Sequence, residues 1–202
     1  MLPVITALAK QSKARISIDT RNAAVMQRAA DAGAHMINDV SALGHDPQNL
    51  AIAARTGLPV ILMHMQGTPQ TMQVAPRYDD VLLDVADQLE ARVAACEAAG
   101  IAREKIIVDP GIGFGKTLAH NLSLLHGLAL LHGLGCPVLL GASRKSFIVR
   151  LMKQLGAQEP ADRVPGSLAA ALIGVQQGAQ IVRVHDVAAT REALAVQETY
   201  LD

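Results

Sequence analysis

Asp109 ends a β-branched run, Ile106-Ile107-Val108, and is followed at once by Pro110-Gly-Ile-Gly-Phe-Gly-Lys116. A proline and three alternating glycines cannot continue a strand. The carboxylate therefore sits at a strand mouth, where a glycine-rich backbone lets a flat or phosphorylated group approach closely. Two common phosphate loops are excluded. A Walker A loop needs glycine where Pro110 precedes Gly115-Lys116-Thr117, and the dinucleotide fingerprint needs glycine where Lys116 stands.

Asp19 and Asn38 also follow β-branched runs, so with Asp109 they offer acceptors and an amide from three separate strands. A carboxylate takes two parallel hydrogen bonds from an amidine-like pair of N–H groups, a strong and selective geometry. The convergence suits a planar, nitrogen-rich ring such as a pterin or a guanine, although each residue taken singly is also an ordinary cap or turn former. Ser143-Arg-Lys-Ser146 opens a helix directly after a strand, which aims backbone N–H groups, the helix dipole and two cations at the rim and predicts an anion site. Arg183 and His185 share one face of the last strand through its period of two. They could hold a leaving pyrophosphate or a carboxylate; the alternative is a surface basic cluster capped by Asp186. His120, His126 and His132 are spaced six apart and share no helix face, so no metal is assigned to them.

The elements that must position these residues alternate regularly. Strands are predicted at Arg15 to Ile18, His35 to Ile37, Pro59 to Met63, Lys105 to Val108, Pro137 to Leu140 and Gln180 to Val184. Helices are predicted at Asn22 to Ala32, Pro47 to Thr56, Tyr78 to Ala99, Asn121 to Leu131, Lys145 to Leu155, Ser167 to Gln177 and Ala188 to Tyr200. Thr20 reads as an N-cap, Asp46-Pro47 as cap and first helical residue, and Gly33, Gly57, Gly100 and Gly178 as stops. A doubly wound sheet concentrates its site at one switch point, whereas a barrel brings every strand mouth to one rim. Polar residues end nearly every strand here, which favours a (β/α)8 barrel. Six βα units are two short of eight, and Met1 to Lys10 reads as the end of a helix without the strand that should precede it.

The 202 residues are 50% hydrophobic, with 18 basic and 18 acidic residues and zero formal net charge. That balance, with 2% aromatic residues, argues against a nucleic-acid surface and for small-molecule chemistry. No apolar run approaches the ~20 residues of a membrane span, and the start lacks the charge of a signal peptide. A single cytoplasmic domain over residues 1–202 is expected. Cys96 and Cys136 have no metal-ligand spacing and read as small core residues in a reducing compartment.

The set Ile-Asp19-Thr, Ile-Asn38-Asp39-Val, Leu-Met-His64-Met-Gln-Gly, the Asp109 to Lys116 loop, Ser143-Arg-Lys-Ser146 and Arg183-Val-His185-Asp186 resembles the dihydropteroate synthase family. The resemblance implies a folate-pathway transferase on a (β/α)8 barrel. It would join 6-hydroxymethyl-7,8-dihydropterin pyrophosphate to p-aminobenzoate and release pyrophosphate, with sulfonamides competing for the amine position. It also implies that Asp19, Asn38, Asp109 and Lys145 hold the pterin, that Phe114 and Ser143 flank p-aminobenzoate, and that Arg183 and His185 hold pyrophosphate. Lys145, Arg183 and His185 would be catalytic. The family pattern carries two further loops ahead of the first residue here, and one of them supplies the asparagine that meets Mg²⁺. Little turnover, association of the short barrel and a homodimer are therefore expected of the 202 residues alone. A non-catalytic pterin-binding partial barrel and a methyltetrahydrofolate-dependent methyltransferase are the alternatives; the anion-binding motifs argue against the second, since methyl transfer has no pyrophosphate to hold.

Overall fold

A computed structural model describes residues 1–68, 70–160 and 162–201 of the protein. Helix α1 (Leu2–Gln11) leads into β1 (Ser17–Asp19), α2 (Ala23–Asp31), β2 (Met36–Asp39), α3 (Asn49–Thr56) and β3 (Val60–Met63). Then come α4 (Val81–Ala98), β4 (Ile106–Asp109), α5 (Leu118–His126), β5 (Leu139–Leu140), α6 (Ser146–Gln154), α7 (Val164–Gln176), β6 (Ile181–Val182) and α8 (Val187–Leu201). All strand pairings are parallel. β1 to β4 pair in chain order, β5 pairs with β6, and a single parallel bridge between Val108 and Val138 joins the two groups. Among the described residues the fold is therefore α/β with parallel sheets, as the alternation of elements predicts.

Period-two alternation sorts each strand into two faces. Ile18, Ile37, Val60, Leu62, Ile106, Val108 and Leu140 join Met26, Val85, Leu89 and Leu124 of the helices in one large core. Ile61, Ile107 and Leu139 form a second, small cluster with Met36 and Ile181 on the opposite, inner face. Strands apolar on both faces are what a parallel sheet covered on both sides requires. The parity carries to the strand ends. Asp109 shares the inner face of Ile107, Asn38 that of Met36, and Asp19 lies opposite Asn38 in the β1–β2 register. Side chains on one face and at one end of several strands are thereby delivered to a common mouth.

Some boundaries and caps differ from the sequence reading. Asn22, not Thr20, caps α2 by accepting from the Val25 N–H at 3.2 Å, while Thr20 Oγ1 accepts from the Asn22 N–H. Asp46 does not start α3. It accepts from the Gln48 N–H and, across the gap, from the Ala23 N–H at 3.2 Å, so it serves the first turn of α2. Asp80, which accepts from the N–H groups of Leu82 and Leu83, starts α4 in place of Tyr78. The segment predicted as one helix from Asn121 to Leu131 splits into α5 and a 3-10 helix over Leu128–Leu134. Gly127 stands at the break, and since a Cβ there would collide with Leu82, glycine is what lets α4 approach this point. No helix among the described residues is long and apolar enough to cross a membrane.

Candidate active site

The centre of the mouth is Asp109, 1% exposed at the end of β4. Its Oδ1 accepts from the Gly111 N–H at 2.7 Å, while its buried Oδ2 has no partner. A buried acceptor left unpaired is costly, and a ligand donor is the natural remedy in a cleft. Burial pushes the carboxyl pKa up, opposed by Lys145, the Gly111 N–H, Arg183 and Lys116.

Asn38 Nδ2 donates to Asp19 Oδ2 at 2.9 Å, and Arg183 Nη1 reaches the same oxygen at 3.5 Å. The ends of β1, β2 and β6 are thus linked across the mouth. Asp19 is more than half exposed, so its ion pair fixes geometry more than it stabilises. Lys145 lies just before α6 and folds back over the glycine-rich loop. Its Nζ donates to the Ile112 carbonyl and stands 4.6 Å from the centre of the Phe114 ring. Burial pulls the Lys145 pKa down to about 8, with Asp109 pulling the other way.

Beside Lys145 opens a cleft of about 260 Å³ lined by Gly141, Ser143, Lys145, Arg183 and His185. Ser143 Oγ is 2.9 Å from His185 Nδ1 and accepts from the His185 N–H at 3.2 Å, so the two loops are tied at the cleft floor. Two expectations need correction. Strand β6 ends at Val182, so Arg183 and His185 meet through the loop after it and not through strand period. Only one of the two neighbouring cations faces the rim: Arg144 takes a left-handed φ of 55° and pairs with Asp186 outside the cleft. Asp186 therefore caps Arg144 and leaves Arg183 and His185 free to line the cleft.

His64 follows a strand end as its sequence predicts, but neither it nor Lys116 has a role that the sequence assigns. Lys116 is fully buried, with Nζ 2.9 Å from His64 Nδ1 and 3.0 Å from the Phe114 carbonyl. Burial pulls its pKa down to about 7, and burial plus the Lys116 charge pull His64 to about 3. Lysine is almost never buried unless paired, and no local pattern announces the pair, because His64 lies 52 residues away. One consequence is a pH dependence. Lys116 and Lys145 release protons at lower pH in the folded chain than in the unfolded one, so above about pH 7 unfolded chains bind more protons and stability rises with pH. The urea midpoint of the protein is expected to be higher at about pH 9 than at about pH 7, with the rise reduced in Lys116→Met. A midpoint that falls over this interval would contradict the buried, depressed lysines.

A parallel α/β wall with a buried unpaired acid and a cation-lined cleft at one set of strand ends is the arrangement in which strand-mouth enzymes place their sites. Its counterparts are specific. Residues 1–185 match the family model described as pterin binding enzyme. The chain is 50% identical over 201 residues to the dihydropteroate synthase of Escherichia coli strain K12, covering 100% of this chain and 70% of that protein. The crystal structure of the Yersinia pestis dihydropteroate synthase with a sulfonamide drug superposes with a TM-score of 0.93 at 48% identity, over 98% of this chain and 71% of that one. The Xanthomonas albilineans dihydropteroate synthase in complex with 7,8-dihydropteroate gives 0.89 at 45% identity, over 100% and 72%. The chain belongs to the pterin-binding enzyme family and, within it, to the dihydropteroate synthases.

Proposed function

We propose that this chain carries the pterin, amine and pyrophosphate subsites of a dihydropteroate synthase, a transferase of folate biosynthesis. The observation that carries the reading is the unpaired Asp109 Oδ2 at the inner mouth, with the Ser143, Lys145, Arg183 and His185 cleft beside it. The pterin edge would donate to Asp109 Oδ2, with Asn38 and Asp19 completing the polar rim. The pyrophosphate would lie among Arg183, His185 and Lys145, and p-aminobenzoate between the Phe114 ring, Ser143 and the start of α6. Sulfonamides would compete there.

In the reaction the amine lone pair forms a bond to the pterin methylene carbon, the carbon–oxygen bond to pyrophosphate breaks with its electrons leaving on oxygen, and the nitrogen gives up one proton to the released pyrophosphate or to water. The protein's part is electrostatic and positional. Fixed cations stabilise the charge growing on the departing oxygen, and the rigid mouth holds carbon and nitrogen close. Mg²⁺ would arrive with the pyrophosphate. There it would add positive charge beside the leaving group; among the described residues no group of three or more His, Cys, Asp or Glu comes together to hold a metal.

We also propose that the six strands are six of the eight in a barrel, that the chain is one domain working in the cytoplasm, and that it pairs as a homodimer.

Arg183→Ala separates the subsites. By calorimetry it should weaken the pterin pyrophosphate roughly 20-fold or more and free hydroxymethylpterin about twofold or less, because only the ester presents the charge. Equal weakening of both ligands would make Arg183 a structural residue and remove the pyrophosphate assignment.

A further inference from the structure

Four consecutive carbonyls of the glycine-rich loop each accept from a side chain. Ile112 accepts from Lys145, Gly113 from Gln73 Nε2 at 2.7 Å, Phe114 from Lys116 at 3.0 Å, and Gly115 from Tyr78 Oη at 2.8 Å. Positive φ at Gly111, Gly113 and Gly115 keeps this stretch out of helix and strand, so its carbonyls must find partners outside regular structure. Lys145 lines the cleft and Lys116 is buried against His64, and these two make the inner pair. Gln73 and Tyr78 approach from the segment between β3 and α4, and neither lines the cleft.

That segment is itself braced. Gln66 closes it by donating to the Arg77 carbonyl at 2.7 Å and accepting from the Arg77 N–H at 3.0 Å. The Tyr78 ring packs edge-on against His120 at 4.9 Å, and a Cβ on Gly115 would stand 2.6 Å from the Gln66 carbonyl, so the two loops are in close contact. The division between inner and outer clamps matters because Lys145 has two demands on one ammonium. A ligand in the cleft competes with Ile112 for it, and the outer pair then carries a larger share of holding the loop.

We propose that Gln73 and Tyr78 are positioning residues for the aromatic amine: by fixing the carbonyls on either side of Phe114 they set the ring against which p-aminobenzoate packs. The proposal rests on the placement of that amine beside Phe114 given above. Tyr78→Phe removes only the hydroxyl and keeps the ring packing, and Gln73 is exposed, so neither change removes core.

The experiment is steady-state kinetics with p-aminobenzoate and pterin pyrophosphate, at enzyme concentrations high enough to read the low turnover expected of these 202 residues, on Tyr78→Phe, the Gln73→Ala/Tyr78→Phe double variant and Phe114→Leu, each checked by thermal midpoint. The double variant is expected to raise the KM for p-aminobenzoate roughly five- to tenfold, leaving the KM for pterin pyrophosphate and kcat within about twofold. If the double variant lowers the midpoint, Tyr78→Phe alone decides, with a rise of about threefold expected. An unchanged amine KM, or an equal rise in both KM values, overturns the proposal. Phe114→Leu separates the two failures. If it raises the amine KM while the outer-clamp variants do not, the positioning proposal alone fails; if it leaves that KM unchanged, the amine placement fails and the proposal falls with it.

Discussion

Asp109→Asn is expected to weaken pterin binding by roughly 2–3 kcal/mol, about 30- to 150-fold, while leaving the protein folded. The asymmetry of the carboxylate is the reason. Oδ1 is committed to the Gly111 N–H, and an asparagine would keep that acceptor in place. Its amide nitrogen then occupies the position of the unpaired Oδ2 and presents a donor to the donor edge of the ring. The fold should tolerate the change because burial already disfavours the charge that asparagine removes. Calorimetric titration of a folded Asp109→Asn protein with hydroxymethylpterin checks this, and unchanged affinity would take Asp109 out of the site.

Gly111→Ala should be the most damaging single methyl in the molecule's working end. Gly111 has φ +67°, and a Cβ there would run into the His64 carbonyl oxygen. Both sides of the collision are backbone, at the ends of β4 and β3, where the His64 N–H donates to the Asp109 carbonyl at 3.0 Å. No side chain can turn aside, so the pairing of the two central strands must open. The cost is roughly 3 kcal/mol or more, from backbone strain plus overpacking. Gly100→Ala is the control: φ is +90° but nothing lies within 4 Å of the added carbon, so strain alone remains, about 1 kcal/mol. Urea denaturation of the two variants should show a clearly larger loss at position 111. Equal losses would mean that the strand ends yield easily and that the mouth is less rigid than the geometry implies.

Much of this was legible in the chain because parallel strands advertise themselves. Ile106 to Val108 and Val60 to Met63 are apolar at every position, and the alternation of inner and outer faces follows from their period once the ends are known. Asp19, Asn38 and Asp109 could be placed at one mouth on that basis alone. What stayed hidden depended on long-range partners or on single dihedral angles. The Lys116–His64 pair joins loops far apart in the chain, and a lysine in a glycine-rich turn looks solvent-facing until the fold covers it. Arg144 was expected in the rim with Lys145, but its left-handed backbone sends it to Asp186. The α2 cap went to Asn22 because its side chain reaches the third helical N–H, a matter of one residue's φ and ψ that composition does not settle. The outer clamps Gln73 and Tyr78 sit in a segment whose sequence shows turn formers and nothing of its partner loop.

One pterin pyrophosphate is expected to span the Asp109 mouth and the Ser143, Lys145, Arg183 and His185 cleft, and a crystal structure of the protein with that ligand is the decisive measurement. The ring's amidine edge is expected within hydrogen-bonding distance of Asp109 Oδ2, about 3 Å, with the phosphates between Arg183 and His185 and with Lys145 Nζ drawn from the Ile112 carbonyl toward the ligand. A ligand bound elsewhere on the protein, or in the cleft with Asp109 Oδ2 still unpaired, would contradict it.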